Sequence, residues 1–207
     1  MIFPSLKEEA LLFRKGYRLI AGIDEAGRGP IAGPVVAGIV IPLEQTLLKW
    51  QKFGINDSKK LAPKKRRQLF EIIKRESLLW GRGVVSEKII DRVGIRQATF
   101  LAMKKAVEGL KVRPEFLLID GKDTLRDFPF NQKAIVNGDE RVLIIAAASI
   151  IAKETRDDIM RRYHLKYPAY GFAQHKGYGT KMHFEMIKKY GPCKIHRRSF
   201  HPIKDIT

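Results

Sequence analysis

The sequence predicts an α/β fold in which a mixed β-sheet is flanked by helices, with a small C-terminal helical appendage. Two observations lead to this prediction. After an opening run of strands, β-rich segments alternate with segments of helical periodicity, which is typical of helices packed on a sheet. The chain has 207 residues, of which 44% are hydrophobic and 30% charged, and this fits one folded domain with a sizeable core.

The first two strands are predicted from RLIAGIDEA (18–26) and GPVVAGIVIP (33–42), which are rich in β-branched and aliphatic residues. Only GRGPIA separates them, so the chain has room for a glycine turn and little else. We therefore expect paired strands joined by a tight turn at 27–32.

A helix with a strongly basic face is predicted for 62–80 (APKKRRQLFEIIKRESLLW), with Pro63 suited to its first turn. Its apolar residues at helical spacing are Leu69, Ile72, Ile73 and Leu79. GRGVVSE then forms a short strand. The following stretch, 86–110, is predicted to be one long or broken helix that starts from Ser86 as N-cap and is interrupted near Gly94.

The remaining elements are a buried strand in PEFLLIDG that ends in Asp120, a further strand, and a long helix from about Ala146. A polar turn at 137–140 separates that last strand from the helix. From about Tyr167 the composition shifts to aromatic, glycine, histidine and basic residues, with one helix predicted near 181–190. We therefore predict a catalytic domain at 1–166 and a C-terminal helical, basic extension at 167–207 that completes the substrate site.

The chain is strongly basic, with 40 Lys and Arg against 22 Asp and Glu and a formal net charge of +18. Such a charge predicts attraction to a polyanion, either nucleic acid or an anionic membrane. The membrane interpretation is weaker, because no run of 18 apolar residues occurs and the first helical segment lacks the apolar core of a signal peptide. We expect a cytoplasmic protein. The single cysteine, Cys193, excludes an internal disulfide and a multi-cysteine metal site, and is interpreted as a partly buried small residue.

The glycine turn resembles two nucleotide-binding loops that the context argues against. Gly27, Gly29 and Ala32 have the G-x-G-x-x-A spacing of a dinucleotide-binding turn. That turn opens a helix, whereas here the β-branched run VVAGIVI follows, which favours a strand. A P-loop is also excluded, since no Lys-Ser or Lys-Thr closes the spacing. The remaining interpretations are an ordinary hairpin turn or a turn whose peptide groups and Arg28 approach a sugar-phosphate.

Four carboxylates stand at the ends of predicted strands or in the polar turn: Asp24, Glu25, Asp120 and Asp139. Strand ends meet at one edge of a sheet, so these acids can share a site. Grouped carboxylates repel unless a cation lies between them, and two Mg²⁺ or Mn²⁺ ions there would suit phosphodiester cleavage. Adjacent strand residues face opposite sides, so Asp24 and Glu25 are expected to need a twist or bulge to serve one site. The residues alone indicate a metal-dependent enzyme acting on nucleic acid.

Seven motifs in order carry a family resemblance: GIDEAGRGPIAGPVV, NDSKKL, LLIDG, NGD, AAASIIAK, YGFAQHKGYGT and IHRRSF. Together they resemble bacterial ribonuclease HII, the type 2 ribonuclease H family, across residues 22–200. The resemblance implies a ribonuclease H-like fold and endonucleolytic hydrolysis of the RNA strand of RNA/DNA hybrids. It also implies cutting 5′ of single ribonucleotides in duplex DNA, with 3′-hydroxyl and 5′-phosphate ends, and roles in DNA repair and replication. By motif position, the catalytic and metal-binding residues are Asp24, Glu25, Asp120 and Asp139.

The resemblance also implies nucleic-acid contacts. Gly27, Arg28 and Gly29 correspond to residues that contact the ribose 2′-hydroxyl and adjacent phosphates, and Tyr178 to a tyrosine that stacks on the neighbouring sugar. The further residues that resemble phosphate contacts are Ser58, Lys59, Lys60, Ser149 and Lys153. The stretch 57–75 supports such contacts, with eight Lys or Arg against two acids.

Two departures from the family pattern are visible. Asn137 stands where a lysine is common, and Glu154 follows Lys153 on what we expect to be a solvated helix face. Two rival functions stay open beside the nuclease. A non-catalytic RNA-binding module explains the charge but not the clustered acids, and a NAD-linked oxidoreductase explains the glycines but not the following strand. A monomer is the default expectation.

Overall fold

A mixed five-stranded sheet forms the centre of the protein, as seen in a computed structural model that describes residues 3–206. The spatial order of the strands is β3-β2-β1-β4-β5. Neighbours β3, β2 and β1 pair antiparallel, whereas β1, β4 and β5 pair parallel, so the predicted mixed sheet is confirmed. The strands are β1 (Ile20–Ala26), β2 (Val35–Pro42), β3 (Ser77–Val85), β4 (Phe116–Asp120) and β5 (Asn131–Ile135).

Helices cover both faces of this sheet. In chain order they are α1 (Lys7–Arg14), α2 (Glu44–Phe53), α3 (Pro63–Glu76), α4 (Glu87–Glu108), α5 (Gly138–Arg141), α6 (Leu143–Lys166), α7 (Phe172–His175) and α8 (Lys181–Tyr190). Short 3₁₀ turns occur at Pro168–Tyr170 and Ile203–Asp205. One apolar cluster packs α1, α2, α3 and α6 on one face, and a second packs α4 on the other.

The long helix α6 lies directly against the central strands. A Cβ atom at Gly38 of β2 would lie 2.5 Å from the carbonyl oxygen of Ala148, so only glycine allows this approach. The first turn of α6 receives its hydrogen-bond acceptor from another element, because Glu9 Oε1 of α1 accepts the N–H of Ile144 at 3.0 Å. The contact of Gly38 with Ala148, together with the hydrogen bond from Ile144 to Glu9, positions the first turns of α6 against the central strands.

The C-terminal segment has an apolar cluster of its own that it shares with the glycine turn. Ile31 of the turn and Met160 of α6 pack with buried residues that come after position 167: Tyr170, Phe172, Ile187, Ile195 and Ile203. The predicted helix at 181–190 is confirmed as α8. The domain limits 1–166 and 167–207 stay a prediction, and their outermost residues, 1, 2 and 207, lie outside the described part.

Several predicted boundaries change. The helix at 62–80 ends at Glu76, and Leu79 lies in β3, because Ser77 has an extended backbone and begins pairing with β2. Helix α4 is kinked at Gly94 as predicted, but Ser86 makes no side-chain cap hydrogen bond. Helix α6 begins at Leu143 rather than Ala146. Helix α2 was not predicted, although the left-handed Gly54 that ends it is a typical stop signal.

Candidate active site

Asp24 and Glu25 lie at the end of β1, where the sheet narrows. Parallel pairing of β1 with β4 stops at Ile23 opposite Ile119. In the same register Asp24 lies level with Asp120, the last residue of β4, and Glu25 extends one residue past it. The two acids keep regular antiparallel pairing with β2, opposite Gly38 and Ala37. The predicted alternative of a bulge is therefore wrong, whereas a twist of the strand end stays a prediction. Asp24 lines a cavity on the α6 side, and Glu25 lines that cavity and a second one on the α4 side.

Asp120, at the end of the neighbouring strand β4, and Asp139, in the short helix α5 that follows β5, complete the acidic group. Asp120 Oδ1 accepts the N–H of Gly138 at 2.6 Å, which ties the end of β4 to the turn that carries Asp139. Asp139 Oδ2 in turn accepts a hydrogen bond from Lys59 Nζ at 3.3 Å. The structure therefore brings together the four acids that the sequence singled out.

The acids repel one another in a partly desolvated setting. Burial, reinforced by Glu25, Asp120 and Asp139, raises the pKa of Asp24 well above its usual range. Burial also raises the pKa of Glu25, although Arg28 opposes the rise. The pKa of Asp139 is raised by burial and by Asp120, against the influence of Lys59. An additional cation near these oxygens would reverse these shifts.

The donor set fits a hard divalent cation. One carboxylate oxygen each from Asp24, Glu25 and Asp120 lies within 4.8 Å of the others. Carboxylate oxygens are the ligands that Mg²⁺ and Mn²⁺ prefer. Asp139 falls outside this tight group but close enough to influence the pKa of Asp24.

The glycine turn is held from beneath by two buried arginines. Arg197 donates to the carbonyl oxygens of Gly27 (2.6 Å), Arg28 (3.0 Å), Gly33 (2.9 Å) and Pro34 (3.2 Å). Arg156 donates to those of Ala32 (3.1 Å) and Pro34 (3.0 Å). Within residues 3–206, the hydrogen bonds of both guanidinium groups go to backbone carbonyls and none to a carboxylate. Burial lowers the pKa of Arg156 to about 10 and of Arg197 to about 9.

This cradle explains the glycine at position 27. Gly27 has a φ of +99°, and a Cβ there would lie 2.1 Å from Arg156 Nε. In a trans peptide the N–H points opposite to the carbonyl of the preceding residue. Because the carbonyls of Gly27 and Arg28 face Arg197, the N–H groups of Arg28 and Gly29 face away from it. The turn therefore presents peptide donors on the side opposite the arginines.

Tyr178 stands beside this turn. Its ring lies 3.9 Å from the place where a Gly29 Cβ would be, and the carbonyl of Gly177 accepts the N–H of Ile31 at 2.9 Å. Arg28 is half exposed and pairs with Glu25 Oε1 at 3.2 Å. A pocket of about 230 Å³ joins the acids, the turn and the tyrosine, with the lining Asp24, Glu25, Ala26, Gly27, Arg28, Gly29, Ser58, Lys59, Lys153, Arg156 and Tyr178.

The predicted phosphate contacts are placed unequally. Ser58, Lys59 and Lys153 line the pocket, with Lys59 Nζ at Asp139 and Lys153 Nζ 2.6 Å from Asp157 Oδ1. Carboxylates raise the pKa of Lys59 overall, although burial opposes them. Lys60 pairs with Glu140 at 2.9 Å, outside the pocket lining.

Ser149 is buried rather than exposed to the pocket. Its hydroxyl donates to the carbonyl of Ala146 at 2.8 Å and accepts the N–H of Ser58 at 3.2 Å. It thereby connects α6 to the Ser58 segment. A direct phosphate contact by Ser149 stays a prediction.

The two departures from the family pattern have structural explanations. Glu154 is 3% exposed and pairs with Arg66 Nε at 2.7 Å, so the expected solvated position is wrong. Helix α3 packs on α6 there and brings Arg66 over it. Asn137 has a φ of +54°, a left-handed conformation that asparagine tolerates better than most residues.

Sequence reasoning missed Arg156, Arg197 and the three histidines beneath Tyr178, namely His175, His183 and His196. The motifs IHRRSF and YGFAQHKGYGT contained three of these five residues as markers of the family, without a role. Their contacts join segments far apart in the chain, so local pattern gives no signal for them.

A ribonuclease H-like sheet with grouped carboxylates at its strand ends defines a metal-dependent nuclease. Residues 21–203 match the family model of Ribonuclease HII, so the chain belongs to the ribonuclease HII family and acts on RNA/DNA hybrids. It is 50% identical over 192 residues to Ribonuclease HII of Caldicellulosiruptor bescii, covering 93% of this chain and 91% of that one.

Solved structures agree on the fold. The crystal structure of ribonuclease H2 from Pyrococcus horikoshii OT3 has a TM-score of 0.78 at 28% identity, with 90% of this chain and 96% of that one covered. Bst-RNase HIII in complex with Mn²⁺ has a TM-score of 0.68 at 18% identity, with 90% and 68% covered. In the described part of this chain, every helix is too short or too polar to cross a membrane.

Proposed function

We propose that this chain hydrolyses the phosphodiester on the 5′ side of a ribonucleotide. The substrates are the RNA strand of RNA/DNA hybrids and duplex DNA with single embedded ribonucleotides, and the products carry 3′-hydroxyl and 5′-phosphate ends. The observation that carries the proposal is the single pocket in which Asp24 and Glu25 adjoin Gly27, Arg28, Gly29 and Tyr178. Cutting and recognition groups thus share one space.

The four acids Asp24, Glu25, Asp120 and Asp139 would hold two Mg²⁺ or Mn²⁺ ions. When bound, such ions activate a water for attack on the phosphorus and stabilise the departing 3′-oxygen. The tight group of three oxygens supports this assignment, and so does the Mn²⁺ in the complex of Bst-RNase HIII. Asp120 keeps its geometry through the N–H of Gly138, and Asp139 through Lys59.

The glycine turn would select the ribonucleotide. Peptide N–H groups of Arg28 and Gly29 face away from Arg197 and are suited to the 2′-hydroxyl and an adjacent phosphate, the groups by which RNA is recognised. The ring of Tyr178 would stack on the neighbouring sugar. Positioning of one phosphate in this way supplies a large part of the rate in such enzymes.

Basic residues would hold the flanking backbone. Lys59 and Lys153 line the pocket, and Lys60 lies beside the turn that carries Asp139. Ser58 would contact a phosphate directly, while Ser149 holds the N–H of Ser58. Each lost phosphate contact should weaken binding in a salt-dependent manner.

The decisive experiment is incubation with Mg²⁺ or Mn²⁺ and a labelled DNA duplex that contains one ribonucleotide, beside an all-DNA duplex. We expect a single cut 5′ of the ribonucleotide and an intact control. Asp24→Asn in parallel excludes a contaminating nuclease. If neither metal supports cutting while the duplex is still bound, the chain is a binding module instead. A cytoplasmic location, a role in DNA repair and replication, and a monomeric state stay predictions.

A further inference from the structure

Three imidazoles lie beneath Tyr178 in the C-terminal cluster. His183 of α8 stacks on His175 of α7, with ring centroids 4.3 Å apart, and contacts His196 at 5.1 Å. His183 is 0% exposed and His196 is 2% exposed. The nuclease site described above makes no direct use of these rings, so their arrangement requires a separate explanation.

The hydrogen bonds of these rings run in one direction. The N–H of Cys193 donates to His196 Nδ1 at 2.8 Å, closer than the Cys193 carbonyl oxygen at 3.3 Å, so Nδ1 carries no proton. A neutral His196 therefore carries its proton on Nε2 and donates it to His183 Nε2 at 3.0 Å. His183 consequently carries its proton on Nδ1, which donates to the carbonyl of Tyr178 at 2.8 Å.

The tautomer of His175 follows in the same way from its two hydrogen bonds. Its Nδ1 accepts the N–H of Gly177 at 3.2 Å, so its Nε2 donates to the carbonyl of Tyr170 at 2.7 Å. Burial keeps the rings neutral, since it lowers the pKa of His183 and of His196 to about 4. Each ring uses one nitrogen as donor and the other as acceptor, an arrangement that only the neutral form allows.

The chain of hydrogen bonds from Cys193 through His196 and His183 ends at the backbone of Tyr178. Its carbonyl accepts two hydrogen bonds, from His183 and from the N–H of Thr180 at 2.9 Å, while its ring is half exposed beside Gly29. The ring thus has little packing of its own to fix it. Its direction depends on how firmly the backbone is held, and the imidazoles hold it from below.

We propose that His196 and His183 are positioning residues for substrate selection, acting through a one-way hydrogen-bond chain from Cys193 to the Tyr178 backbone. The inference rests on the proposed function in one respect: Tyr178 contacts the sugar beside the ribonucleotide. The tautomers themselves follow from the geometry alone.

The first test is therefore independent of cleavage. Long-range ¹H–¹⁵N correlation of the histidine side chains at neutral pH reports which ring nitrogen bears the proton. We expect the Nδ1–H tautomer for His183 and the Nε2–H tautomer for His196 and His175. His196→Phe removes the donor to His183 Nε2 and should shift the ¹⁵N resonance of that nitrogen, while the Tyr178 carbonyl keeps the proton on Nδ1. Any other tautomer for His183 or His196 in the unmodified protein overturns the inference.

The second test is a double-mutant cycle on the single-ribonucleotide duplex. His196→Phe should lower kcat/KM about tenfold, and by less than about twofold in a Tyr178→Ala background, because its effect passes through that residue. His196→Gln keeps a donor toward His183 and should recover most of the loss. Equal losses from His196→Phe in both backgrounds would assign it a structural role only and overturn the inference.

Ile187→Ala is the matched control, since Ile187 is buried in the same cluster but lies outside the hydrogen-bond chain. Its effect on kcat/KM should be the same in both backgrounds. The activity of the unmodified enzyme distinguishes failure of the proposed function from failure of the positioning role. If it leaves the ribonucleotide duplex uncut, the proposed function fails, whereas the tautomers are still decided by the first test. If it cuts and the cycle shows no coupling, only the positioning role is refuted.

Discussion

The acidic end of β1 and the glycine turn that follows it have opposite electrostatic problems. At the strand end, Asp24 is buried among other acids, and its pKa is raised because its negative charge is poorly compensated. Beneath the turn, Arg156 of α6 and Arg197 are buried with hydrogen bonds to its carbonyls, and burial lowers their pKa values because their positive charges are poorly compensated. The two regions are only a few residues apart in sequence.

The difference teaches how one pocket can serve both a cation and a phosphate. Divalent ions would relieve the acids, and a substrate phosphate near the turn would lie in the field of the arginines. Direct pairing of Arg156 or Arg197 with the acids would satisfy both charges and leave neither available. Hydrogen bonds from the arginines to carbonyls keep the positive charge in place without consuming an acid.

Substitution of an acid at the end of β1 should cause the largest loss of cleavage. Asp24→Asn should lower single-turnover cleavage by on the order of 10³-fold, because the site loses a charged ligand. Binding to a hybrid should be nearly unchanged in a gel-shift assay. Asp123→Asn is the control, since this exposed acid pairs with Arg96 outside the acidic group, and it should retain activity. Near-normal turnover of Asp24→Asn would show that the metal-site assignment is wrong.

The support of the glycine turn is tested by Arg197→Lys, which keeps the positive charge but loses the planar guanidinium group with its several N–H donors. One ammonium group cannot serve the carbonyls of Gly27, Arg28, Gly33 and Pro34 together. We expect the free energy of unfolding to fall by about 2–4 kcal/mol and cleavage to fall markedly. Denaturant unfolding measures the first quantity. Arg198→Lys, at the exposed next position, should change stability by less than about 0.5 kcal/mol; similar losses for both would refute the cradle.

Adding a divalent metal ion should stabilise the folded protein, and this stabilisation should depend on the acids and not on Arg197. A divalent ion at 100 times its Kd stabilises the folded state by about 2.7 kcal/mol per site, which thermal unfolding detects as a higher Tm. We expect Mn²⁺ to raise the Tm of the unmodified protein and of Arg197→Lys, but to have little effect on Asp120→Asn. An undiminished rise in Asp120→Asn would place the ion elsewhere.

Tyr178→Ala should separate recognition from binding on the turn side. Stacking of one aromatic ring on nucleic acid is worth about 1–3 kcal/mol, so cutting at a single ribonucleotide should fall about tenfold or more. Duplex affinity should change less. Tyr190→Ala, a half-exposed tyrosine at the end of α8, serves as control. Equal losses of cutting and affinity in Tyr178→Ala would instead indicate a defect in the fold.

The last prediction concerns the buried histidines beneath Tyr178, whose neutral state should make the stability of the protein depend on pH. The pKa of His183 and of His196 is about 4 in the folded protein, below the ordinary 6.5. As pH falls below 6.5 the unfolded chain takes up protons first, so stability present at pH 7 is lost progressively toward pH 4. The ionisable groups that face the pair are His175, Tyr170, Cys193 and Arg198.

Thermal unfolding with a chelator at pH 7 and pH 5 measures this loss. We expect the Tm to fall further between pH 7 and pH 5 in the unmodified protein than in His183→Phe/His196→Phe, because the imidazole protons are taken up by the unfolded chain. The carboxylates titrate in both proteins, so the difference isolates the imidazoles. Identical pH slopes would show that the rings are not held neutral by the fold.

Local pattern was sufficient for much of this molecule. Runs of β-branched and aliphatic residues predicted β1, β2 and β4, and the strand ends predicted where Asp24, Glu25 and Asp120 meet. It failed where tertiary contact decides the outcome. Leu79 joined a strand because β2 offers it a partner, and Glu154 became buried because α3 brings Arg66 over it. The bulge was not required, because Asp24 lies level with Asp120 at the end of β4 and Glu25 one residue past it, while both keep regular pairing with β2.

The contact between Arg197 and Gly27 also has a consequence for the order of synthesis. These residues are separated by 170 positions, and a domain folds as a unit. The four acids are synthesised well before the arginine that shapes the turn. The turn, and with it the proposed selection of ribonucleotides, can therefore be completed only after residue 197 has emerged from the ribosome.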